Sequence, residues 1–156
     1  MQKVIVIFNG AAQVCPLLSG QTAESIATSY GVTDPTLYQE FAESDFDATC
    51  YGWSNAFTLV NGVVGFDLDT AKQLADSVVN NQSNEQAKAI LAGLSYDVYV
   101  AQSSLPKEQR IAKYQAAIDA NNALAIETEN REQAIYAAST IQEVNAIVYP
   151  PQTEAA

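Results

Sequence analysis

The sequence predicts an α+β protein with a small antiparallel β-hairpin head, short helices beside it and a helical C-terminal half. Two observations carry this prediction. Residues 1–66 contain two β-rich stretches, each interrupted by Asn-Gly, which is the strongest short-range signal for a two-residue hairpin. From residue 67 onward, apolar residues recur at the three- and four-residue spacing of helices. We therefore predict an α+β head with two hairpins at residues 1–66 and a helical region at residues 67–156.

The first part of the head predicts a hairpin followed by a helix. In KVIVIF-NG-AAQVCPLL, residues 4–8 are expected to form a buried strand that turns at Asn-Gly into a second strand. Apolar residues at helical spacing predict a helix over residues 22–30. Gly31 follows at the position where a left-handed C-terminal cap is needed.

The second part of the head predicts another helix and another hairpin. Asp34 and Pro35 are typical of the first turn of a short helix, which is expected to carry Leu37, Tyr38 and Phe41. Residues 44–55 show no clean period and predict an irregular connection. AFTLV-NG-VVGFDL then predicts a second hairpin. The two hairpins are expected to form one small sheet covered on one face, or an open sheet whose edges pair with another chain.

The C-terminal half predicts about three helices and a short terminal one. Asp69 is a candidate cap for the first helix, the stretch VNNQSN is expected to end it, and Ser83 begins the second. Pro106 marks the start of a third helix, which continues for more than thirty residues without glycine or a second proline. A short final helix is expected after residue 139, ended by the Tyr-Pro-Pro at residues 149–151.

The third helix does not predict a long coiled coil. Ile111, Tyr114 and Ile118 begin an apolar stripe, but a strict heptad repeat brings Asn121 and Thr128 into the same seam. We therefore expect this helix to pack against the two helices before it.

Charge excludes two classes of partner. Seven Lys and Arg against eighteen Asp and Glu give a net charge of −11, so the chain offers no basic patch for nucleic acid and disfavours anionic membranes. No stretch reaches the eighteen apolar residues of a membrane span, and the N-terminal apolar run is too short for a signal peptide. Synthesis and folding in a cytoplasm are therefore expected, with no nucleic acid and no membrane as partner.

The residue inventory argues against an enzyme. The chain has no histidine, which removes His-dependent catalytic triads and most zinc sites, and no Gly-rich phosphate loop precedes a helix. Cys15 and Cys50 fit buried thiols in a reducing compartment, with a disulfide between them as the alternative. We therefore predict no catalytic residue and no cofactor.

Two acidic pairs are the remaining candidates for chemistry. Asp45 with Asp47, and Asp67 with Asp69, offer oxygen ligands for a hard cation. Neither pair is followed by the glycine and terminal glutamate of an EF-hand loop, and a helix-capping role accounts for Asp67 and Asp69. We predict no metal site. A carboxylate-based enzyme or ligand-binding domain stays an alternative, because catalytic carboxylates are paired in space rather than in sequence.

Aromatic residues predict the contact surfaces, since Trp and Tyr dominate protein interfaces. The rings of Phe41, Phe46 and Phe57 are expected in the core of the head, whereas Trp53, beside Gly52 in an irregular segment, is expected to be partly exposed. The predicted interface residues are Tyr51, Trp53, Tyr96, Tyr99, Tyr114, Tyr136, Tyr149 and Pro150.

Residues 131–151, REQAIYAASTIQEVNAIVYPP, resemble the C-terminal helices of bacteriophage tail-fibre-associated and tail-assembly proteins. In those, a charged Ala-rich helix gives way to a Thr-containing junction and a short Glu-Val-x-Ala-Ile helix. The stretch FDLDTAKQLADSV is loosely similar to such small phage proteins as well. The Asp-Trp ending of many fibre-assembly chaperones is absent here.

The resemblance implies a non-enzymatic virion or virion-assembly protein that binds a tail, fibre or capsid protein without a cofactor. It also implies a place in the virion after synthesis in the host cytoplasm. A capsid decoration protein is the alternative within this class, and a second copy of the chain is a further candidate partner.

Overall fold

The computed structural model describes residues 1–95 and 103–150, and it confirms the predicted α+β class. Antiparallel hairpins occupy the N-terminal half and helices the C-terminal half. The described residues form two compact units. Unit 1 comprises residues 1–74 and 139–145, and unit 2 comprises residues 75–95, 103–138 and 146–150. The predicted boundary between residues 66 and 67 concerns independent folding and stays a prediction.

The first predicted hairpin of unit 1 is confirmed. Strand β1 (Gln2–Phe8) pairs antiparallel with β2 (Ala11–Pro16), and Asn9 and Gly10 between them have φ angles of 51° and 79°. Positive φ at both central positions is the requirement of a type I′ turn, which is why Asn-Gly is found here. β1 is the central strand of a three-stranded sheet, and its residues 4–6 are fully buried.

Helix α1 (Ala23–Ser29) lies where the sequence predicts it. Thr22 and Ser25 form a reciprocal capping box, with each backbone N–H donating to the other side chain. Gly31, with φ of 77°, follows the helix in the left-handed conformation. The apolar face of α1 packs in one buried cluster with β1, and this cluster comprises Val4, Val6, Ile26, Ala27 and Val32.

The predicted helix after Asp34 is wrong beyond its first turn. Asp34 does cap a 3-10 turn, Pro35–Leu37, by accepting a hydrogen bond from the Thr36 N–H. The following residues instead form strand β3 (Tyr38–Ala42), which pairs antiparallel with the other edge of β1. Backbone pairing with a strand more than thirty residues away overrides the local helix signal, because the edge of β1 needs partners for its N–H and C=O groups.

The second hairpin is confirmed, but it forms a sheet of its own. Two 3-10 segments, Glu43–Asp45 and Ala48–Ala56, make up the irregular connection that precedes it. Strand β4 (Phe57–Val60) then turns at Asn61 and Gly62, both with positive φ, into β5 (Val63–Phe66). The single sheet expected from both hairpins is therefore wrong, because β3 takes the free edge of β1.

Helix α2 (Leu68–Ala92) is continuous through VNNQSN, where the sequence predicts a break. Ala71, Ala75 and Val79 are fully buried at helical spacing, so packing keeps one face of the helix in place as far as this stretch. The two helices predicted on either side of it are one helix. Asparagine lowers helix propensity by well under 1 kcal/mol per residue, which tertiary contacts readily exceed.

The last two helices agree with the sequence. Helix α3 (Lys107–Ala137) is unbroken over 31 residues, and helix α4 (Ile141–Val148) follows it. Within unit 2, α2 and α3 are antiparallel: Gln82 contacts Arg131, and Ser83 contacts Thr128. The Ser83 and Thr128 hydroxyl oxygens are 2.7 Å apart.

Candidate protein-contact site

Five aromatic rings form the centre of unit 1. Phe57 lies between the others, with ring centroids 5.9 Å from Phe41, 5.0 Å from Phe46, 5.5 Å from Tyr51 and 5.2 Å from Phe66. Most of these contacts are edge-on or tilted, the arrangement that the quadrupoles of aromatic rings favour. Phe41 and Phe57 are buried, as predicted, and Phe46 is half-buried, so this cluster builds the head rather than its surface.

Tyr51, a predicted interface residue, is one of the five rings of this cluster. The half-buried Tyr51 stacks on Phe57 and donates its hydroxyl to the Glu43 carbonyl at 2.8 Å. Lys3 Nζ lies 4.9 Å from the Tyr51 ring centroid and 3.1 Å from Glu43 Oε1. Burial is the largest cause of the raised pKa of Tyr51, followed by the negative charge of Glu43.

The expectation that Trp53 is partly exposed is wrong. Its side chain is buried, with 5% of its surface accessible. The segment Ala48–Ala56 breaks at Trp53, whose φ and ψ of −122° and 50° are not helical, and Cys50 and Ala56 of the same segment are buried as well. An irregular backbone therefore does not mean an exposed ring, because a break in a 3-10 segment redirects the side chains that follow it.

The acidic pairs serve as turn and helix caps. Asp45 accepts a hydrogen bond from the Ala42 N–H at 3.0 Å, and Asp47 accepts one from the Thr49 N–H at 2.8 Å. Asp67, and not the predicted Asp69, caps α2 by accepting from the Asp69 N–H at 3.0 Å. Across residues 1–95 and 103–150, no group of three or more Cys, Asp and Glu side chains is arranged to hold a metal ion.

Hydrogen bonding also shifts the acidity of two caps. The Thr49 hydroxyl, with help from its N–H, lowers the pKa of Asp47. The Thr70 hydroxyl, which donates to Asp67 Oδ2 at 2.8 Å, is the largest cause of the lowered pKa of Asp67. In both cases the donor favours the ionised carboxylate.

Both cysteines are free thiols. Cys15 Sγ lies 3.3 Å from the Tyr30 hydroxyl, and this contact is the largest cause of the raised pKa of Tyr30. Cys50 is buried, and burial raises the pKa of its thiol. A raised thiol pKa reduces the thiolate fraction at neutral pH and therefore the reactivity of Cys50.

Unit 2 contains a groove of about 1010 Å³, which we call the C-terminal groove. It is formed by the middle of α2, the second half of α3, the end of α4 and the two residues that follow α4. Its lining residues are Gln82, Gln86, Ala123, Ile126, Glu127, Asn130, Arg131, Ala134, Ala146, Ile147, Val148, Tyr149 and Pro150.

Arg131 holds the three helices of the groove together. One guanidinium nitrogen, Nη2, donates to Gln82 Oε1 of α2 at 2.8 Å and to the carbonyls of Ile147 and Val148 at 3.2 Å each. Gln82 Nε2 donates to the Val148 carbonyl as well, at 3.4 Å. The last carbonyls of a helix have no partner within the helix and carry its negative dipole end, so a cation beside them stabilises α4.

The walls of the groove expose apolar side chains. Ile126 retains 62% of its accessible surface and Tyr149 retains 56%. Small alanine side chains of α3 and α4 also line the groove. Glu127 is the only acidic side chain among the lining residues, whereas the positive charge of Arg131 is turned toward the α4 carbonyls.

The structure brings two of the predicted interface residues together, since Tyr149 and Pro150 both line the C-terminal groove. Tyr136 is 54% exposed outside the groove, and partial burial, followed by the negative Asp76, raises its pKa. Tyr114 is half-buried on α3. The remaining two tyrosines, Tyr96 and Tyr99, lie outside the described residues.

The sequence prediction missed Gln82, Ile126 and Arg131 in this groove. Tyr-Pro-Pro is a local signal for a helix end and an aromatic surface, so it was readable from the chain. Ile126 gave one usable signal: it falls outside the Ile111, Ile118 stripe of α3. Arg131 and Gln82 gave none, because their roles depend on helices that meet only after folding.

Unit 1 exposes a smaller apolar surface at its second hairpin. Val60 and Val63, which flank the Asn61-Gly62 turn, keep 63% and 67% of their accessible surface. In the three-stranded sheet, β2 and β3 are the edge strands. Exposed strand edges and exposed valines are features of pairing surfaces.

None of the helices in the described part of the chain is long and apolar enough to cross a membrane. No protein family, no curated protein and no solved structure matches this chain.

Proposed function

We propose that this chain is a non-enzymatic bacteriophage virion or virion-assembly protein that binds a tail or tail-fibre protein through the C-terminal groove. The observation that carries the proposal is the coincidence of two features. More than half of the lining residues of the groove belong to residues 131–151, the segment that resembles phage tail-fibre-associated and tail-assembly proteins. The segment with the resemblance thus supplies a concave apolar surface.

The side chains that line the groove indicate which kind of partner segment would bind there. Exposed Ile126 and Tyr149, together with the alanines of the lining, suit apolar side chains of a partner, and aromatic residues at such a site are frequent hot spots. Glu127 and the net charge of −11 favour a partner segment that adds Lys or Arg beside its apolar residues. The occupant is therefore an apolar segment with basic flanks in a tail or fibre protein.

The test begins with virions of the phage that encodes this chain. We expect mass spectrometry of washed particles to detect it, and separated tails to retain it. Detection in capsids alone would favour the capsid decoration alternative. Presence in infected-cell lysate without particles would favour an assembly factor, and absence from both would contradict the phage setting.

A pair of phage variants tests the groove itself. Ile126→Glu places a charge in the groove, and we expect it to reduce the copies per particle at least tenfold. Val63→Glu is the matched control, because Val63 is similarly exposed but belongs to the second hairpin. Loss of the protein from particles with Val63→Glu and retention with Ile126→Glu would move the contact to unit 1.

A further inference from the structure

One part of unit 2 has no buried residue. We call it the helical arm, and it consists of the end of α2 from Asn80 and the start of α3 up to Ala123. Every described side chain in residues 80–95 and 103–123 is exposed or half-buried, whereas Val79 and Leu124 on either side are buried. Helices in proteins owe most of their stability to packing of an apolar face. The arm therefore lacks a buried apolar core among the described residues.

The outer face of α3 in this arm is apolar. Ile111 and Ile118 keep 56% and 47% of their accessible surface. They are seven residues apart, and Ala125 lies seven residues further, so all three fall on one side of the helix. We call the line of Lys107, Ile111, Ile118, Ala125 and Glu132 the isoleucine stripe. Arg131, which contacts α2, lies on a different side of α3, and Thr128, which also contacts α2, lies between that side and the stripe.

The charge distribution along α3 makes this helix complementary to a second copy of itself in one direction. Its first turns carry three basic side chains and one acidic one, Lys107, Glu108, Arg110 and Lys113. Its later turns carry three acidic side chains and one basic one, Glu127, Glu129, Arg131 and Glu132. Two copies of α3 aligned in parallel place like charges together. Two antiparallel copies place basic turns beside acidic ones.

We propose that a second copy of this chain binds the isoleucine stripe, with the two α3 helices antiparallel across a twofold axis near residues 119 and 120. In this alignment Lys107 of each copy lies beside Glu132 of the other. The two Ile118 residues flank the twofold axis, roughly 4.5 Å apart along the helix direction at 1.5 Å per residue. A twofold interface uses the same patch on both copies, so each contact occurs twice. The antiparallel arrangement also opposes the two helix dipoles.

The net charge of the helical arm is small enough for the arms of two copies to approach each other closely. Residues 80–123 contain four acidic and four basic side chains, whereas the whole chain carries −11. The C-terminal ends of the two α3 helices lie roughly 52 Å apart along the axis, at 1.5 Å per residue. This distance exceeds the Debye length of about 8 Å at physiological salt, so the acidic ends do not repel one another.

The first experiment measures the mass of the full chain by sedimentation equilibrium from 1 to 200 μM. We expect a reversible monomer–dimer equilibrium, and Ile118→Glu is expected to weaken the dimer roughly a hundredfold. Ile126→Glu is the matched control on the same helix, because Ile126 is at least as exposed but lies in the C-terminal groove. Circular dichroism checks that both variants stay helical.

Charge reversal tests the direction of pairing. Lys107→Glu and Glu132→Lys are each expected to weaken the dimer roughly tenfold at low salt, because two contacts change from attraction to repulsion. An equimolar mixture of the two variants restores both attractions, and so does the double variant K107E/E132K. Recovery in the mixture supports the antiparallel pair specifically.

Four results would overturn the proposal: a monomer throughout the concentration range, a higher oligomer, a dimer indifferent to Ile118→Glu, or equal weakening by Ile126→Glu. This inference does not depend on the phage setting. A dimer that is absent from particles contradicts the proposed function alone, and a monomer that is retained in particles contradicts the dimer alone.

Discussion

Asn-Gly pairs have the same role twice in this chain. Asn9 with Gly10 and Asn61 with Gly62 have φ angles between 51° and 79°, and each pair joins two antiparallel strands. Asparagine tolerates this left-handed region better than other residues with a side chain, and glycine occupies it without cost. Two dipeptides therefore determine where both hairpins turn, which is why both turns could be located from the sequence.

Glycine at the first turn gives a direct measure of this effect. We expect Gly10→Ala to lower the free energy of unfolding by about 1 kcal/mol, because alanine is disfavoured at φ of +79°. A Cβ at Gly10 would meet no atom within 4 Å, so the cost comes from the backbone alone. Urea denaturation at 25 °C provides the measurement.

Gly52→Ala is the matched control. Gly52 also has room for a Cβ atom, but its φ lies outside the left-handed region. Alanine there reduces the entropy of the unfolded chain, so the substitution is expected to raise the free energy of unfolding by about 0.5 kcal/mol. Equal destabilisation by the two substitutions would show that backbone conformation is not the cause.

The cap of α2 makes stability depend on pH. Hydrogen bonds from Thr70 and Asp69 lower the pKa of Asp67 in the folded chain. A lowered pKa contributes stability that is present above the unfolded value of about 3.9 and is lost as pH falls through the folded value. We expect Asp67→Ala to lower the Tm by roughly 3 °C at pH 7.

Asparagine at position 67 separates the charge of this cap from its hydrogen bonds. Asp67→Asn still accepts hydrogen bonds, so most of the Tm should be retained at pH 7. Since asparagine does not titrate, the difference between wild type and Asp67→Asn should shrink from pH 5 to pH 3. Thermal melts followed by circular dichroism test this, and a constant difference would rule out Asp67 as the titrating group.

At the scale of elements, local signals indicated several positions where a helical turn begins but not how far the helix continues. Thr22, Asp34 and Asp67 all cap a helical turn, and Gly31 ends α1. The sequence nevertheless predicts a short helix that begins at Asp34 and Pro35 and extends to Phe41, because the need of β1 for a second strand partner is not visible in residues 34–42. A capping residue indicates that a helical turn begins, but contacts with residues distant in sequence determine whether the helix continues.

The same limit applies to the C-terminal groove. Tyr149 is predicted as an interface residue because tyrosine is frequent at interfaces, and the Tyr-Pro-Pro that ends the last helix is a local pattern. Arg131 contacts residues 49 positions before it and 16 and 17 positions after it. Contacts at these separations cannot be predicted from the spacing of residues along a helix. The prediction for Trp53 was wrong because a local signal was misleading: its irregular surroundings suggested exposure, but its side chain is only 5% accessible.

Continuity of α2 through VNNQSN gives an element-scale prediction. Asn81 is exposed within α2, so replacing it with alanine should raise the free energy of unfolding by about 0.5 kcal/mol through helix propensity. Asn61→Ala is the comparison, because Asn61 has φ of 53° and alanine should destabilise the turn there. Urea denaturation measures both, and a loss of stability with Asn81→Ala would indicate that the helix breaks where the sequence pattern suggested.

At the scale of the whole molecule, the boundary between the compact units differs from the boundary that the sequence pattern predicts. The change in periodicity falls at residue 67, whereas unit 1 extends to residue 74 and includes residues 139–145. Ala71, Ile141 and Val144 are buried residues of unit 1 that lie in the predicted helical region. These three share a compact unit with residues 1–66, so we expect removal of residues 1–66 to expose them and to lower the stability of residues 67–156.

We predict that residues 67–156 alone give a helical circular dichroism spectrum with a lower Tm than the full chain. Buried Val79, Leu124 and Ile135, together with the Arg131 contacts, belong to unit 2 and remain in the fragment. Loss of cover over Ala71, Ile141 and Val144 should reduce the Tm by several degrees, because each exposes apolar surface. If two copies pair through α3, the Tm of the fragment should also rise with protein concentration. A random-coil spectrum would show that the helices fold only with residues 1–66. A Tm that does not change with concentration would show that contacts within unit 2 alone stabilise the fragment, without pairing of α3.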